Sequence, residues 1–534
     1  MRSCGATETN GCHSERSAAE PRNPAAEPRV MQRDVSTSLG MTASLLEGRW
    51  AFWTISALIV LLFAVANLPW QLDDYDQAKQ AFTSFQIIKE GRWLYQQTPH
   101  EHVATKPPLV GWVSAGLFTI TGSWETAWRL PCFLAAITIA ILLLQAARSA
   151  YGVIAGLIAL AAFGLNLLSP RLATLVRTDM PLALVIFLIG LVIWQKIRAR
   201  TEWRLQDQVC MFALLTIAML IKGPIVYAFL LPGIALFQLR GRARPPGAPL
   251  QSAWCGWWPW IASLAVFLLW VVGGILFTAG FFDQVVMREF VARFGETIHR
   301  PQPLYFYLPH MLHKFAPWSL VMISITIFDL ASRRWRIGAA FRDMSAETFW
   351  LLCWSLGGLV VMSLIPSKRV DRIFPIVPPL CLILAAQIGG DAALPRKLSG
   401  VGAARRPYVA IALVFSICFA GGYTIFKVIS AYRDHHDALV IFGRNVRLEA
   451  EAHHWRYEAL SAKDEGLLLY LRKTHFIEPD RAFTEWNRGN LDALVASTEK
   501  APALLSELRD ASLSSLKSNE RNKEQGKDYV LITR

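Results

Sequence analysis

The sequence predicts an all-α polytopic membrane protein with a small α/β domain at its C-terminus. Hydrophobic residues make up 53% of the 534 residues and charged residues only 18%, whereas soluble domains carry about 25% charged residues. The apolar residues also fall in blocks that are long enough to cross a hydrocarbon core of about 30 Å. Because lysine and arginine concentrate in short loops, the net charge of +14 fits the positive-inside rule, and no nucleic-acid partner is expected.

About 13 membrane-spanning helices are predicted in a domain that covers residues 46–432. The stretch 152–178 is too long for one straight crossing and is interrupted at Asn166 and Pro170, so we expect two short helices there. The predicted crossings are 51–69, 109–122, 130–147, the two halves of 152–178, 181–197, 208–221, 224–239, 258–278, 305–328, 348–365, 373–388 and 408–428.

Two polar regions flank this domain. Residues 1–45 are rich in Ser, Glu, Arg, Ala and Pro and are predicted to be disordered, and Met31 and Met41 are alternative starts of the protein. Residues 433–534 alternate short helical and strand patterns, with a last strand expected at 529–533. They are predicted to form a soluble α/β domain with a docking or scaffolding role.

Basic loops such as Arg240–Arg244 and Arg333–Arg336 indicate the cytoplasmic ends of the crossings. Counting crossings outward from these loops puts four regions on the other side of the membrane. These extracytoplasmic regions are the first outer loop 70–107, then 280–303, 366–372 and the C-terminal domain.

The first outer loop carries the strongest candidates for chemistry. Asp73, Asp74 and Asp76 follow the first apolar block, Lys79 comes one helical turn later, and Lys106 stands before the next apolar block. Apolar residues recur every three or four positions from 77 to 88, which predicts an amphipathic helix on the membrane surface. Any one of the aspartates could instead be a simple helix N-cap.

Further charges stand at predicted membrane ends, where an unpaired charge is costly and often marks function. The candidates for substrate binding are Arg177, Asp179, Glu289, Arg293, Lys368 and Arg369. Structural ion pairs, Arg177 with Asp179 and Glu289 with Arg293, are the alternative explanation, and headgroup contact is the alternative for the basic loop at 368–372.

These segments resemble the bacterial lipid-linked sugar transferases of the GT-C superfamily, namely the aminoarabinose transferases of lipid A and their protein O-mannosyltransferase relatives. The first loop matches in 76–81, 91–94 and 106–109, where the group has D-E-x-R-Y-A-E, G-D-W and E-K-P-P. Later matches follow in the same order. They are Trp128–Pro131, Leu220–Pro224, Glu289–Phe294, Pro303–Tyr307 with Pro317–Trp318, and 367–378.

The resemblance implies an integral-membrane glycosyltransferase that inverts the sugar in one displacement and takes it from a polyprenyl phosphate. Asp76 stands where the group has its catalytic aspartate, with Asp74 and Asp73 as the alternatives for the base. Lys79 stands where the group has a phosphate-binding arginine, and Lys106 matches its phosphate-binding lysine. A lysine in place of an arginine loses bidentate geometry.

Two departures concern zinc. The aminoarabinose transferases have Glu before Lys-Pro-Pro and His after the Glu of E-H-x-x-R-F, and zinc can bind between them. This chain has Thr105 and Phe290 there, and neither ligates zinc readily. The resemblance therefore implies no metal, and no cofactor is predicted, although a divalent metal stays open.

The sequence leaves the substrates open. The expected partners are a polyprenyl-phosphate-linked sugar, a lipid or protein acceptor and membrane lipids, at the outer face of the bacterial inner (plasma) membrane. The alternative is a transporter or flippase for an anionic lipid or solute, which would need polar residues near the midplane of several helices. Here the charges gather at the outer ends instead.

Overall fold

The computed structural model describes residues 49–72, 75–242, 253–292, 301–389, 399–464, 466–518 and 528–534. The segment 1–45, predicted to be disordered, and the candidates Asp73, Asp74 and Arg293 lie outside these ranges.

The membrane part is helical throughout. Its α-helices are α1 (Arg49–Val65), α2 (Tyr75–Glu90), α3 (Leu109–Thr121), α4 (Trp124–Tyr151), α5 (Val153–Gly164), α6 (Ser169–Ala173), α7 (Asp179–Ala199), α8 (Leu205–Lys222), α9 (Ile225–Arg242), α10 (Trp258–Phe277), α11 (Tyr307–Lys314), α12 (Trp318–Ser332), α13 (Ile337–Asp343), α14 (Ala346–Leu364), α15 (Val377–Gly389) and α16 (Ser399–Arg433). A π-helix covers Phe282–Val291, and 3₁₀ helices cover Leu304–Phe306 and Val370–Ile376.

The predicted count of about 13 crossings is not confirmed. Among the described residues, 7 helices are long and apolar enough to cross a membrane, or up to 8 if a bent pair counts as one span. That pair, 304–314 with 318–332, bends by 102°. Four shorter apolar helices are also present, namely α1, α3, α5 and the first part of α9. The molecule is a multi-pass membrane protein.

The predicted break in 152–178 is present, but its second half is not a crossing. Only the five residues of α6 are helical there, and at about 1.5 Å per residue they cannot span a bilayer. Asn166 makes the break possible. Its amide donates to the carbonyls of Ala162 and Phe163, and its side-chain oxygen accepts from the backbone N–H groups of Leu168 and Ser169.

Helices α7 and α8 show how the chain returns to one end of the bundle. They form an antiparallel pair with an ion pair at each end, Lys196 with Asp207 at 2.5 Å and Lys222 with Asp179. At the Asp179 end, this pair lines one cavity together with α2, Lys106 and Arg369. The loops predicted to lie outside therefore meet at one end of the bundle.

A small α/β domain follows α16, as predicted. It contains α17 (Ala438–Ala452), β1 (Tyr457–Ala459), α18 (Gly466–Leu471), α19 (Pro479–Asn487), β2 (Ala493–Ser497), α20 (Ala501–Glu507), β3 (Ser512–Lys517) and β4 (Tyr529–Thr533).

The sheet of this domain has the order β1-β2-β4-β3. Strand β1 is parallel to β2, whereas β4 is antiparallel to both of its neighbours, with Val495 opposite Leu531. The central strands β2 and β4 are buried along their whole length, because helices cover both faces. One of the two cores includes Phe82 and Phe85 of α2, so the domain packs directly on the helix that follows the first crossing.

Candidate active site

Helix α2 positions the first group of site residues. Its apolar face, with Ala78, Ala81, Phe82 and Phe85, is buried. Positions 76, 79, 80 and 83 recur every three or four residues and therefore lie on one other face. That second face lines a cavity of about 310 Å³.

The cavity collects charges from distant parts of the chain. Seven of its lining residues are lysine or arginine and four are aspartate or glutamate, an excess of three positive charges. The charged lining consists of Asp76, Lys79, Lys106, Arg177, Asp179, Lys222, Arg288, Glu289, Arg369, Asp371 and Arg372. Such a concave, cationic site at the ends of membrane helices fits an anionic ligand.

Asp76 is the carboxylate most closely surrounded by these cations. Arg369 donates a short hydrogen bond to its Oδ2, and Arg177 Nη2 lies 3.7 Å from the same atom. Burial alone would raise the pKa of Asp76. The nearby Lys106, Arg369 and Arg177 outweigh burial and lower the pKa to about 2. The carboxylate is therefore ionised at any physiological pH and acts as counter-ion to the cations.

Arg177 connects two carboxylates. It is 4% exposed and donates from Nη1 to Asp371 Oδ2 at 2.9 Å, while its Nη2 faces Asp76. Arg171 approaches the other oxygen of Asp371 at 3.9 Å from a much more exposed position. Asp371 thus holds the guanidinium of Arg177 in the orientation that faces Asp76.

Asp179 has a different partner. Its carboxylate accepts a short hydrogen bond from Lys222, and both side chains are largely buried. The suggested internal pair of Arg177 with Asp179 is thus replaced by two pairs with residues elsewhere in the chain. Lys222 lies within the cavity wall.

The structure brings most of the predicted site residues together. Those that line the cavity are Asp76, Lys79, Lys106, Arg177, Asp179, Glu289 and Arg369. Lys368 does not line it, since its ammonium donates to the carbonyl of Gln302 at 2.9 Å. The predicted candidates Asp73, Asp74 and Arg293 are outside the described ranges, so their roles stay predictions.

Several lining residues, namely Lys222, Arg288, Asp371 and Arg372, are not among the predicted substrate-binding candidates. Arg288 directly precedes the candidate Glu289, and Asp371 and Arg372 follow the candidates Lys368 and Arg369. Lys222 stands in the Leu-Ile-Lys-Gly-Pro motif. The sequence signals for these residues are their position beside the matched motifs and, for Lys222, Asp371 and Arg372, their charge at a predicted outer end of a span.

The residues in this cavity do not fit the zinc site of the aminoarabinose transferases. Thr105 lines the cavity in place of their glutamate, and residue 290 is Phe in place of their histidine. Within the described ranges, no group of three or more His, Cys, Asp or Glu side chains is arranged to hold a metal ion. We therefore derive no step through a metal.

The chain is similar to known proteins in sequence and in structure. Residues 105–273 match the family described as dolichyl-phosphate-mannose-protein mannosyltransferase. The crystal structure of ArnT from Cupriavidus metallidurans bound to undecaprenyl phosphate superposes with a TM-score of 0.61 at 17% identity, covering 90% of this chain and 97% of that one. The chain has the fold of this ArnT. The apo form of the same ArnT gives a TM-score of 0.56 at 18% identity.

A curated relative extends the resemblance at the level of sequence. The undecaprenyl phosphate-alpha-4-amino-4-deoxy-L-arabinose arabinosyl transferase of Pectobacterium atrosepticum is 30% identical over 110 residues, which are 20% of this chain. The matched segment spans 18% of that relative's length. The predicted resemblance to the aminoarabinose and protein mannosyl transferases of the GT-C group is confirmed, and the predicted class, a membrane glycosyltransferase, agrees with the names of these relatives.

Proposed function

We propose that this GT-C protein transfers a sugar from a polyprenyl-phosphate donor to a hydroxyl group of a lipid or protein acceptor. One observation carries the proposal: a carboxylate, Asp76, lies among cations that exceed the carboxylates of the cavity by three. The matched family is named for a dolichyl-phosphate sugar, and the similar ArnT structure has undecaprenyl phosphate bound. Both lipids are polyprenyl phosphates, which supports the choice of donor.

The reaction is a single displacement. The acceptor oxygen attacks the anomeric carbon from the face opposite the phosphate while Asp76 removes the hydroxyl proton. The bond between the anomeric carbon and the phosphate oxygen breaks, and its electron pair leaves with the polyprenyl phosphate. The sugar configuration is inverted, and the proton remains on the carboxyl group of Asp76 until solvent takes it.

The cations act most strongly on the departing phosphate. A polyprenyl phosphosugar is a diester with one negative charge, and the phosphate gains a second charge as the bond breaks. Lys106, Lys222 and Arg369 therefore stabilise the transition state more than the bound donor, which is the condition for catalysis. No protein acid is required, because phosphate is a good leaving group.

Binding of the donor also activates the base. Before a donor binds, a pKa of about 2 makes Asp76 a weak base. A donor phosphate competes for Arg369 and Lys106, so these cations then offset less of the burial that raises the pKa. The basicity of Asp76 thus increases when the substrate arrives, closer to the range that suits proton removal.

We place this chemistry at the outer face of the bacterial inner membrane, with the cavity and the C-terminal domain extracytoplasmic. The distribution of basic loops supports this side. The substitutions Glu101→Cys and Arg334→Cys test it, because they fall in the first outer loop and in a predicted cytoplasmic loop. A membrane-impermeant maleimide added to intact spheroplasts should label residue 101 only, and labelling of residue 334 alone would reverse the orientation.

Transport of an anionic lipid is the competing function. The charges of the cavity stand at helix ends, such as Asp179 at the start of α7 and Lys222 at the end of α8, and this favours a reaction at the interface over a path through the bundle. The deciding experiment compares Asp76→Asn with Asp283→Asn, a control outside the cavity lining. The Asp76 variant should lose sugar transfer by about 10²–10⁴-fold, and unchanged transfer would remove the base from the proposal.

A further inference from the structure

The C-terminal domain holds both ends of α2, the helix that carries Asp76 and Lys79. At the N-terminal side, the backbone N–H of Leu72 donates to the hydroxyl of Tyr470 in α18 at 2.6 Å. The neighbouring Gln71 accepts from the backbone N–H of Leu439 at the start of α17 at 2.9 Å. Leu72 and Tyr470 are both buried, so water does not replace these contacts.

The contact is close at the level of the backbone. A Cβ at Gly466, the first residue of α18, would meet the carbonyl oxygen of Leu72 at 2.7 Å. Another at Gly443 of α17 would meet the Cβ of Tyr470 at 2.6 Å. Glycine at both positions lets α17, α18 and the segment before α2 approach each other directly, which leaves Tyr470 little room to move.

A separate element contacts the other end of α2. His475, just after α18, lies between two carboxylates of the first outer loop. Its Nε2 is 2.9 Å from Glu90, the last residue of α2, and its Nδ1 is 3.3 Å from Glu101. The apolar face of α2 between these ends packs into the core of the domain through Phe82 and Phe85.

The backbone just before α2 is strained, which is consistent with a segment fixed from outside. Trp70 has a φ of 67°, a left-handed conformation that is unfavourable for a bulky residue and persists only where the surroundings impose it. Its carbonyl accepts a short hydrogen bond from Arg129. The residues that follow it, 71 and 72, are those bound by the C-terminal domain.

We propose that the C-terminal domain is a clamp that positions α2 for the reaction, and that Tyr470 and His475 are positioning residues of this enzyme. The inference rests on the proposed function and assigns the domain a part in it. Neither residue lines the cavity, so each acts through α2 and not through contact with the substrate.

The clamp affects turnover more than donor binding. Most cations that face the donor phosphate, among them Lys106, Arg177 and Lys222, belong to elements other than α2, whereas the base Asp76 lies on α2. A small displacement of α2 thus moves the base away from the acceptor hydroxyl while the phosphate site remains. Misplacement by about 1 Å can cost up to about 10²-fold in rate.

The experiment uses Tyr470→Phe in the full-length protein in nanodiscs. Its matched control is Tyr227→Phe, because the hydroxyl of Tyr227 also makes a 2.6 Å hydrogen bond with a backbone group, the carbonyl of Trp260 in α10, and not with α2 or the segment before it. Three quantities are measured: hydrogen exchange of peptides within 75–90, binding of undecaprenyl phosphate, and the transfer of label from a polyprenyl-phosphate-sugar extract of the source membranes.

Tyr470→Phe should accelerate exchange in 75–90 about fivefold to tenfold and lower kcat about tenfold, with undecaprenyl phosphate affinity within about twofold. Tyr227→Phe should change none of these. Unchanged exchange in 75–90, or a loss of kcat equal in both variants, overturns the clamp.

If Tyr470→Phe does not fold, a second pair of variants tests the same proposal. His475→Gln loosens the other end of α2, and His453→Gln removes an exposed histidine that pairs with Glu449 inside the domain. His475→Gln alone should accelerate exchange in 75–90, and equal exchange in both overturns the clamp. If the wild-type protein transfers no sugar, the proposed function fails, and hydrogen exchange still decides whether the domain holds α2.

Discussion

The buried guanidinium of Arg177 donates a 2.9 Å hydrogen bond to the carboxylate of Asp371. The two residues are 194 positions apart in the chain, and their contact joins the segment before α7 to the 3₁₀ helix before α15. Because the other Nη of Arg177 faces Asp76, this pair holds Arg177 beside Asp76.

Removal of Arg177 should be far more harmful than removal of Arg171, although both approach Asp371. Arg177→Gln leaves a buried carboxylate without its closest cation, which costs about 3–5 kcal/mol in comparable pairs. Arg171→Gln removes a 3.9 Å contact from an exposed side chain, a type worth less than about 1 kcal/mol. Thermal unfolding in detergent checks this order, and equal losses of Tm in the two variants would contradict it.

Variants of Lys222 and Asp179 distinguish a contribution to stability from a contribution to ligand binding. Lys222→Met should destabilise the protein, since Asp179 stays buried without its cation. The double variant with Asp179→Asn should regain much of that stability, because neither charge is then left alone. Affinity for undecaprenyl phosphate should nevertheless remain low in both, as each lacks the cation. Restored binding in the double variant would show that Lys222 only supports the fold.

The sequence predicts which residues of α2 share a face, but not which residues elsewhere in the chain contact that face. The spacing of residues 76 and 79 predicted a shared face, because helical periodicity is local. The hydrogen bond between Arg369 and Asp76 joins positions 293 residues apart, and no sequence pattern predicted this contact. The polarity of Asn166 predicted the break in 152–178, but hydropathy could not show that α6 has only five residues.

The basic loop at 368–372 shows why neighbouring candidates have different outcomes. Arg369 has an extended backbone, with φ −141° and ψ 142°, and in such a segment successive side chains point to opposite sides. Arg369 therefore faces the cavity while Lys368 faces the carbonyl of Gln302. A sequence without a backbone conformation cannot distinguish the two.

The pH dependence should differ between the free enzyme and the donor complex. The Lys106, Arg369 and Arg177 cations outweigh burial and lower the pKa of Asp76 from 3.8 to about 2, so Asp76 contributes stability above pH 4 that is lost as the pH falls towards 2. The profile of kcat/KM, which reports the free enzyme, should show no acid limb from Asp76 above about pH 3. The acid limb of kcat should lie at higher pH, because the bound phosphate raises the pKa.

These two profiles are measured with the same donor extract over a range in which the protein stays folded. Coincident acid limbs for kcat and kcat/KM would mean that donor binding leaves the pKa of Asp76 unchanged, against the proposed activation.

Metal removal should have no effect on transfer. Thr105 and Phe290 replace the glutamate and histidine between which zinc can bind in the aminoarabinose transferases, and the cations of the cavity can stabilise the phosphate without a metal. Transfer measured before and after dialysis against EDTA should agree within about twofold. A loss that Zn²⁺ reverses would show that other residues of this chain hold the metal.

The affinity for undecaprenyl phosphate, measured for the wild-type protein and for Asp76→Asn, tests the central claim most directly. If Asp76 is the base and also competes with phosphate for Arg369 and Lys106, the variant should bind undecaprenyl phosphate at least as tightly as the wild type while transferring almost no sugar. Weaker binding together with retained transfer would contradict both roles of Asp76.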